Sequence, residues 1–498
     1  MSAITNGLQS ISDLLYRSFL PEKLNNPLGY ILCILFALFT AAVFALLPLK
    51  IALLFVGLMV GIPLMGACFV DLKIGVGFIM IFGFFVIIMG KYVDAPFGIG
   101  LDALLFVLMF SLVVQVSKTK DISFALHPIS YFILAWIGYS LFQVLNPSAA
   151  SLMAWLYTVR SLAGLLFLYF IASYAFTSKK IIFNSIKIIL GLGLIAAIYG
   201  LKQEFVGFSS MELAWVNADP KRYQLIVQWS RMRIFSLFSD PTTYGILSAY
   251  IGVMCMIIAT GPYSWVKRSI LVLTAILSMM GMAYAGSRTP FVLVPAGIFF
   301  YVLMTLNRYI IMASVAGFLM FGALMMKSTS NPVIYRMQSA FKPGEDASMQ
   351  VRIDNQARVQ PFIHKHPIGA GLGSTGAWGA RFTPDSWLAS FAHDSGFVRI
   401  AVEAGWLGLI LYMAMLFTIM RYGIYYYFRV TDPEIKNMYL AITTAFFILV
   451  LASYPQEAIV MLPTSLIFYI LLAALLRMKD FDEGYQAVLR EQEAKKVV

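Results

Sequence analysis

Charge is scarce in this sequence. Of 498 residues only 12% are Asp, Glu, Lys or Arg, while 60% are hydrophobic. Soluble proteins carry about twice that charged fraction, so a water-soluble globular fold is excluded. Cysteine is scarcer still. Cys33, Cys68 and Cys255 are odd in number, lie in apolar runs and lack metal-ligand spacing. They read as small packing residues, with neither a disulfide framework nor a zinc site expected. Among the four histidines, His364 and His366 alternate but have no third ligand at useful spacing, so no metal is expected there. No Walker motif and no serine nucleophile elbow occurs. A cleavable signal peptide of ordinary form is also missing. Residues 1–24 are polar and mixed, with Leu8, Ile11, Leu14, Leu15 and Phe19 forming a weak amphipathic face suited to the inner membrane surface.

Long apolar runs are what the chain has in abundance. Backbone polar groups cannot stay open in lipid, so runs of about 20 apolar residues must be helical. Such runs fall at 28–47, 50–70, 74–90, 97–116, 128–145, 151–176, 181–203, 242–260, 268–285, 290–306, 309–326, 396–420, 437–453 and 457–476. The expected fold is all-α: a polytopic membrane protein of about 14 (12–14) helices with a long, partly helical extracytoplasmic loop. The net charge of +12 is explained by lysine and arginine holding cytoplasmic loops to anionic lipid. No basic domain or RNA-binding signature points to nucleic acid. With the N-terminus inside, Lys73, Lys118, Lys179, Arg268, Arg421 and Arg477 fall on the inner side with most other short-loop cations. The short outer loops carry only Lys50, Lys91 and Arg288. This bias implies an even number of spans, with both termini cytoplasmic.

The organisation that follows is a cytoplasmic amphipathic segment (1–27), N-terminal membrane helices (28–203), a first extracytoplasmic loop (204–241), membrane helices (242–326), a large extracytoplasmic loop (327–395), C-terminal membrane helices (396–476) and a cytoplasmic tail (477–498). No inverted repeat of the transporter kind is evident. Long polar loops between membrane helices carry function more often than mere connection.

The polar residues in those loops define the candidate chemistry. Arginine matches phosphate and pyrophosphate through its planar fork. Arg231, Arg233, Arg288, Arg352, Arg358 and Arg381 are all expected on the outer side, either binding an anion or solvated and paired with loop carboxylates such as Glu204 and Asp240. Arg288 stands out because the short Gly286-Ser-Arg-Thr-Pro290 turn between apolar helices gives it little solvent freedom. Arg160 lies nine residues into its span, roughly 14 Å deep at 1.5 Å per residue, and needs a partner; Asp102, Glu403 and Glu457 are the candidates. His393 sits where loop and membrane helix meet, as a polar interface residue or a reacting group. Asp394 or Ser395 caps the helix after it, and Arg399 and Glu403 follow four residues apart on one face. Gly371-Leu-Gly-Ser-Thr-Gly376 fits a dinucleotide fingerprint but no strand precedes it, so no cofactor is expected. Asp480-Phe-Asp482 reads as a solvated helix end. A base, anion-binding arginines and a membrane-level cavity are the parts needed for a hydroxyl to attack a sugar carried on a lipid pyrophosphate.

Several of these stretches, in this order, resemble the bacterial O-antigen ligase and O-antigen polymerase superfamily of membrane glycosyltransferases. They are Arg233-Ile-Phe-Ser-Leu-Phe-Ser-Asp-Pro-Thr-Thr-Tyr-Gly245, Gly286-Ser-Arg288, His366-Pro-Ile-Gly-Ala-Gly-Leu-Gly-Ser374 and His393-Asp-Ser-Gly with Glu403-Ala-Gly405 and Gly408. Asp394 stands where the family more often has asparagine. The likeness covers about residues 190 to 475. It implies a metal-independent, inverting glycosyltransferase of the bacterial inner membrane, working on the periplasmic side without a cofactor. The donor would be a glycan on undecaprenyl pyrophosphate. The acceptor would be lipid A-core in a ligase, or a second lipid-linked glycan in a polymerase. By the same resemblance His393 would act on the acceptor hydroxyl, Arg233, Arg288 and Arg231 would hold the donor pyrophosphate, and Arg160, Arg352, Arg399 and Glu403 would support. A transporter or lipid flippase is the rival class, and would need mid-membrane broken helices and an inverted repeat.

Overall fold

The computed structural model describes residues 27–46, 49–93, 95–228, 231–326, 334–335, 338, 341, 347–391 and 395–487. The amphipathic N-terminal segment lies outside these residues apart from Pro27. The chain forms two compact units, 1–67 and 68–498. The first holds α1 (Pro27–Leu46) and most of α2 (Leu49–Val70). Phe39 and Phe55 meet there edge to face, with ring centroids 5.4 Å apart.

The second unit is a helical bundle. It contains α3 (Leu72–Tyr92), α4 (Phe97–Thr119), α5 (Pro128–Phe142), α6 (Leu152–Ala175) and α7 (Lys179–Phe205). A short excursion follows: α8 (Ser210–Asn217), α9 (Pro220–Ile226) and a two-residue antiparallel ribbon, β1 (Val227–Gln228) with β2 (Arg231–Met232). Next come α10 (Pro241–Ala259), α11 (Trp265–Ala285), α12 (Arg288–Thr305) and α13 (Arg308–Met326), then α14 (Ala347–Lys365) and α15 (Gly376–Phe382). The chain closes with α16 (Gly396–Glu403), α17 (Gly405–Tyr427), α18 (Pro433–Ala452) and α19 (Thr464–Arg477). The protein is an all-α polytopic membrane protein. Among the described residues ten helices are long and apolar enough to cross a membrane. All fourteen expected runs fall largely in helix, but those at 28–47, 50–70, 309–326 and 457–476 are not among the ten.

α10 is the hub, packed by α7, α11, α12 and α18. It is apolar all round and almost wholly buried, as a helix enclosed by others must be. Small residues let the neighbours approach, as is common between membrane helices. A Cβ on Gly252 would sit 2.5 Å from Met279 Cε, and one on Gly297 2.6 Å from Ile448 Cδ1. α18 runs antiparallel to α10. Near its start Asn437 donates to the Ile257 carbonyl (3.0 Å), close to the end of α10. After its end Met461 Sδ accepts from Thr243 Oγ1 (3.5 Å), at the start of α10. These contacts define two ends of the bundle: one where α10 begins and α18 finishes, and an opposite one.

Three expectations are corrected. The run at 396–420 is not one helix: it breaks between α16 and α17. Gly405 has φ +70°, and a Cβ there would lie 2.1 Å from the Pro367 carbonyl oxygen, so the break is where the loop backbone docks. The last span starts at Thr464 and not at 457, because the chain from Ser453 to Pro463 makes an irregular connection with prolines at 455 and 463. Asp482 is no solvated helix end. It is fully buried and accepts from Thr431 N (2.7 Å), Thr431 Oγ1 (2.6 Å), Asp432 N (2.9 Å) and Tyr485 N (2.8 Å).

Burial pushes the Asp482 carboxyl up, but the hydrogen bonds from Thr431, Asp432 and Tyr485 outweigh it and hold the group below the ordinary aspartate range. Its stabilisation is therefore complete above the unfolded value of about 4 and is lost as pH falls through the lower folded value. Asp482→Ala should lower the unfolding free energy by about 2–3 kcal/mol, because it orphans several donors. Thermal unfolding in detergent from pH 7 downward should show the gap between wild type and variant closing in acid.

Candidate active site at one end of the bundle

The turn that carries Arg233 is built by side chains from elsewhere. Gln203, buried near the end of α7, accepts from Phe235 N (3.1 Å) and Ser236 N (2.7 Å) and donates to the Ser236 carbonyl (3.2 Å). Ser236 takes a left-handed conformation, φ +51°, which is costly for a residue with a Cβ. Its hydroxyl donates to the Ala196 carbonyl (2.6 Å), completing the set of bonds that holds it there. Gln203 is in turn oriented by Glu212, whose Oε1 accepts its amide (2.6 Å) and the Tyr199 hydroxyl (3.0 Å). Glu212 also closes a capping box with Ser209 at the start of α8. Burial raises the Glu212 carboxyl, yet the hydrogen bonds from Ser209, Gln203 and Tyr199 hold it below the usual range, so it is an anion.

Arg233 projects from this turn and is itself buried. Its guanidinium donates to the Leu225 carbonyl and to the Gly286 carbonyl (3.4 Å). Gly286 ends α11 in a left-handed cap, and Ser287 and Arg288 follow it directly. The two arginine stretches are thus joined by a hydrogen bond, and Ser287 Oγ donates to Thr242 Oγ1 (3.3 Å) at the start of α10. Asp240 caps α10 through Thr242 N and Thr243 N (2.9 Å each). Arg231 is matched by Glu204 at the end of α7.

His393 and Asp394 lie outside the described residues. The residues after them are clear: Ser395 caps α16 by accepting from Val398 N (3.4 Å). Gly396 N donates to the carbonyls of Ser453 (3.0 Å) and Gln456 (3.3 Å), in the connection after α18. Because α18 finishes where α10 begins, Ser395 stands at the same end of the bundle as Arg233 and Arg288.

Arg160 takes Asp102 as its partner (3.0 Å). The other two acids proposed for it belong to Arg399, which reaches Glu403 Oε1 through Nε (3.3 Å) and Glu457 Oε2 through Nη1 (2.6 Å). Glu403 also accepts from the Thr375 hydroxyl (2.5 Å), in the glycine-rich loop. That loop lies against α6: a Cβ on Gly373, at φ +78°, would meet the Ala154 carbonyl oxygen at 2.6 Å. The glycines serve this close backbone approach. Beside Arg399, Glu403 and Glu457 is a cavity of about 240 Å³, with Thr158 and Ser161 of α6 and Trp378 of α15 on its wall. Arg352 sits on α14, which packs against α16.

Two residues gain importance only in three dimensions. Lys91 closes α3 beneath the Arg233 turn, donating to the Phe238 carbonyl with Trp215 and Phe235 rings 4.6 and 4.3 Å away. Its signal was present: like Arg288 it is a cation on the side where cations are rare. Glu457 was a candidate partner for Arg160, and its actual link, to Arg399, spans 58 residues. Glu403→Ala should cost about 3 kcal/mol, because Thr375 and Arg399 lose a buried acceptor together. Differential scanning fluorimetry of the purified protein should show a clear fall in melting temperature, larger than for Glu204→Ala on the half-exposed Arg231 pair.

Residues 273–413 match the family model described as O-Antigen ligase, covering α12 to α16 with parts of α11 and α17. No curated protein matches. The matched stretch is narrower than the 190–475 over which the motifs carry the likeness, and it includes Arg288, Arg352, His393, Arg399 and Glu403. The multi-pass helical fold agrees with this match, and over residues 273–413 the chain is similar to the O-antigen ligase family.

Proposed function

We propose that the protein is an O-antigen ligase-like glycosyltransferase. It moves a glycan from undecaprenyl pyrophosphate to a hydroxyl of lipid A-core at the inner membrane of a bacterium. The observation that carries this reading is the bond from Arg233 to Gly286, which draws two arginine stretches together at the end of the bundle where Ser395 follows His393. The family match supports the substrate class.

The chemistry is a single displacement. The acceptor oxygen bonds to the anomeric carbon from the face opposite the leaving group, giving inversion, and the bond from that carbon to the pyrophosphate oxygen breaks. His393 takes the hydroxyl proton; a neutral imidazole suits this near pH 7. Arg233 and Arg288 bind the pyrophosphate and stabilise the negative charge that grows as it leaves. Arg288 is also the first residue of α12, where the positive end of the helix dipole adds to its own charge. Arg231, engaged by Glu204, and Arg352 serve as outer contacts for the donor. The Arg160–Asp102 pair braces α6 against α4. The leaving pyrophosphate already activates the sugar, so no nucleotide cofactor is called for.

This end of the bundle faces the periplasm. Lys179, Arg268, Arg477 and Lys479 gather at the opposite end, as expected for the cytoplasmic side; the same charge bias in the sequence assigns both termini to the cytoplasm. Residues 204–241 and 327–395 are then the periplasmic segments.

Transfer should be measured with purified protein in vesicles, lipid-linked donor and lipid A-core acceptor. His393→Ala should reduce turnover by at least about 10²-fold; unchanged turnover removes the histidine from the reaction. Arg288→Lys and Arg233→Lys keep the charge but lose the fork, and each should cost at least about tenfold. In the gene deletion, long glycans should accumulate on the lipid carrier. Single repeats attached to core would instead identify a polymerase.

A further inference from the structure

We propose that the cavity between α6, α15, α16 and the Ser453–Met461 connection is the subsite for the acceptor's terminal sugar ring, with Glu457 and Trp378 as its binding residues. The inference rests on the transfer reaction proposed above and adds which part of the acceptor is recognised and where.

Charge selects the occupant class. Arg399 brings one positive charge to the cavity, and Glu403 and Glu457 bring two negative ones. A pyrophosphate would meet net repulsion here, whereas a neutral polyhydroxylated ring would not. The wall has the two surfaces a pyranose needs. Trp378 is half-buried on the cavity wall and braced by Tyr157, ring centroids 4.8 Å apart at 38°, which offers an aromatic surface for the apolar face of a sugar. The hydroxyls of Thr158 and Ser161 donate to their own helix, to the carbonyls of Ala154 (2.8 Å) and Tyr157 (3.4 Å). Their oxygens therefore present lone pairs, which accept from sugar hydroxyls. Arg399 fixes the Glu457 carboxylate at 2.6 Å, so this acceptor is oriented before substrate arrives.

Position selects the acceptor over the donor. Gly396, three residues after His393, lines the cavity on one side. Met461 lines it on another and touches Thr243, beside the Asp240 cap of α10 and the Ser287–Arg288 turn. A ring seated here borders both the start of α16 and the arginine side, without occupying the latter. The volume of about 240 Å³ has room for one sugar ring.

The test uses full-length protein in vesicles with undecaprenyl-pyrophosphate oligosaccharide as donor and lipid A-core as acceptor. Glu457→Gln and Trp378→Ala should each raise the acceptor KM by about tenfold while leaving the donor KM within about twofold. Trp378→Phe, which keeps an aromatic face, should recover most of the loss. Acceptor KM unchanged in both Glu457→Gln and Trp378→Ala, or a rise in donor KM alone, overturns the subsite. A binding arm separates this from the underlying reading. Soluble core oligosaccharide should quench tryptophan fluorescence of the wild type, and the quench should be clearly smaller in Trp378→Phe, where Trp136 is the remaining indole on the wall. Binding without any wild-type transfer would reject the ligase reaction and keep the sugar subsite. Absence of the Trp378-dependent quench would reject the subsite whether or not transfer occurs.

Discussion

A charge inside an apolar medium must be matched where it stands, and Arg399 shows what that requirement does to a fold. Its guanidinium lies between Glu403, four residues on, and Glu457, from the connection after α18. Glu403 holds Thr375 of the glycine-rich loop at the same time. Three stretches far apart in sequence are therefore fixed to each other by one cation and two anions. Removing Arg399 leaves two carboxylates without a cation, which is far costlier than the pairing is favourable. The same requirement explains why α16 and α17 are separate helices: the loop backbone docks where they part, with Gly371 N donating to the Glu403 carbonyl and Ala370 N to that of Val402.

Neutral groups obey the same rule around Arg233. No regular element holds the stretch from Arg233 to Ser239, so its backbone bonds go to side chains, chiefly Gln203. Glu212 then satisfies Gln203, and Ser209 satisfies Glu212. The result is a rigid mount made of polar groups, with the aromatic rings of Phe235, Phe208 and Trp215 packed beside it. Pre-organisation of this kind is what a group that stabilises developing charge requires, since it spends nothing on reorientation during the reaction.

Much of this was legible before any coordinates. The hydropathy runs place the helices, because lipid leaves the backbone no alternative to internal bonding. The short-loop arginine at 288 and the i, i+4 pair of Arg399 and Glu403 could be picked out by position alone. What stayed hidden depends on distant contacts. The helix break at Gly405 is dictated by Pro367, and Asp482 looks like a tail residue until Thr431 closes on it. The partner of Arg160 could be narrowed to three acids but not chosen, since the choice turns on which helix lies beside α6. Lys91 carried the same anomaly as Arg288, and its role as a brace under the Arg233 turn is set by Phe238, which lies 147 residues away.

The way the Arg233 turn is mounted bears on how such proteins diverge. The segment from Ser209 to Asp240 looks like a self-contained insert between two spans, an attractive unit for exchange among relatives. Its geometry is nevertheless owned by the preceding helix, through Gln203, Tyr199 and the Ala196 carbonyl. Grafting the insert by itself onto a foreign chassis would leave the arginine on an unsupported strap. A productive chimera has to carry the final turns of α7 with it, so evolution in this region is constrained to move helix and insert as one module.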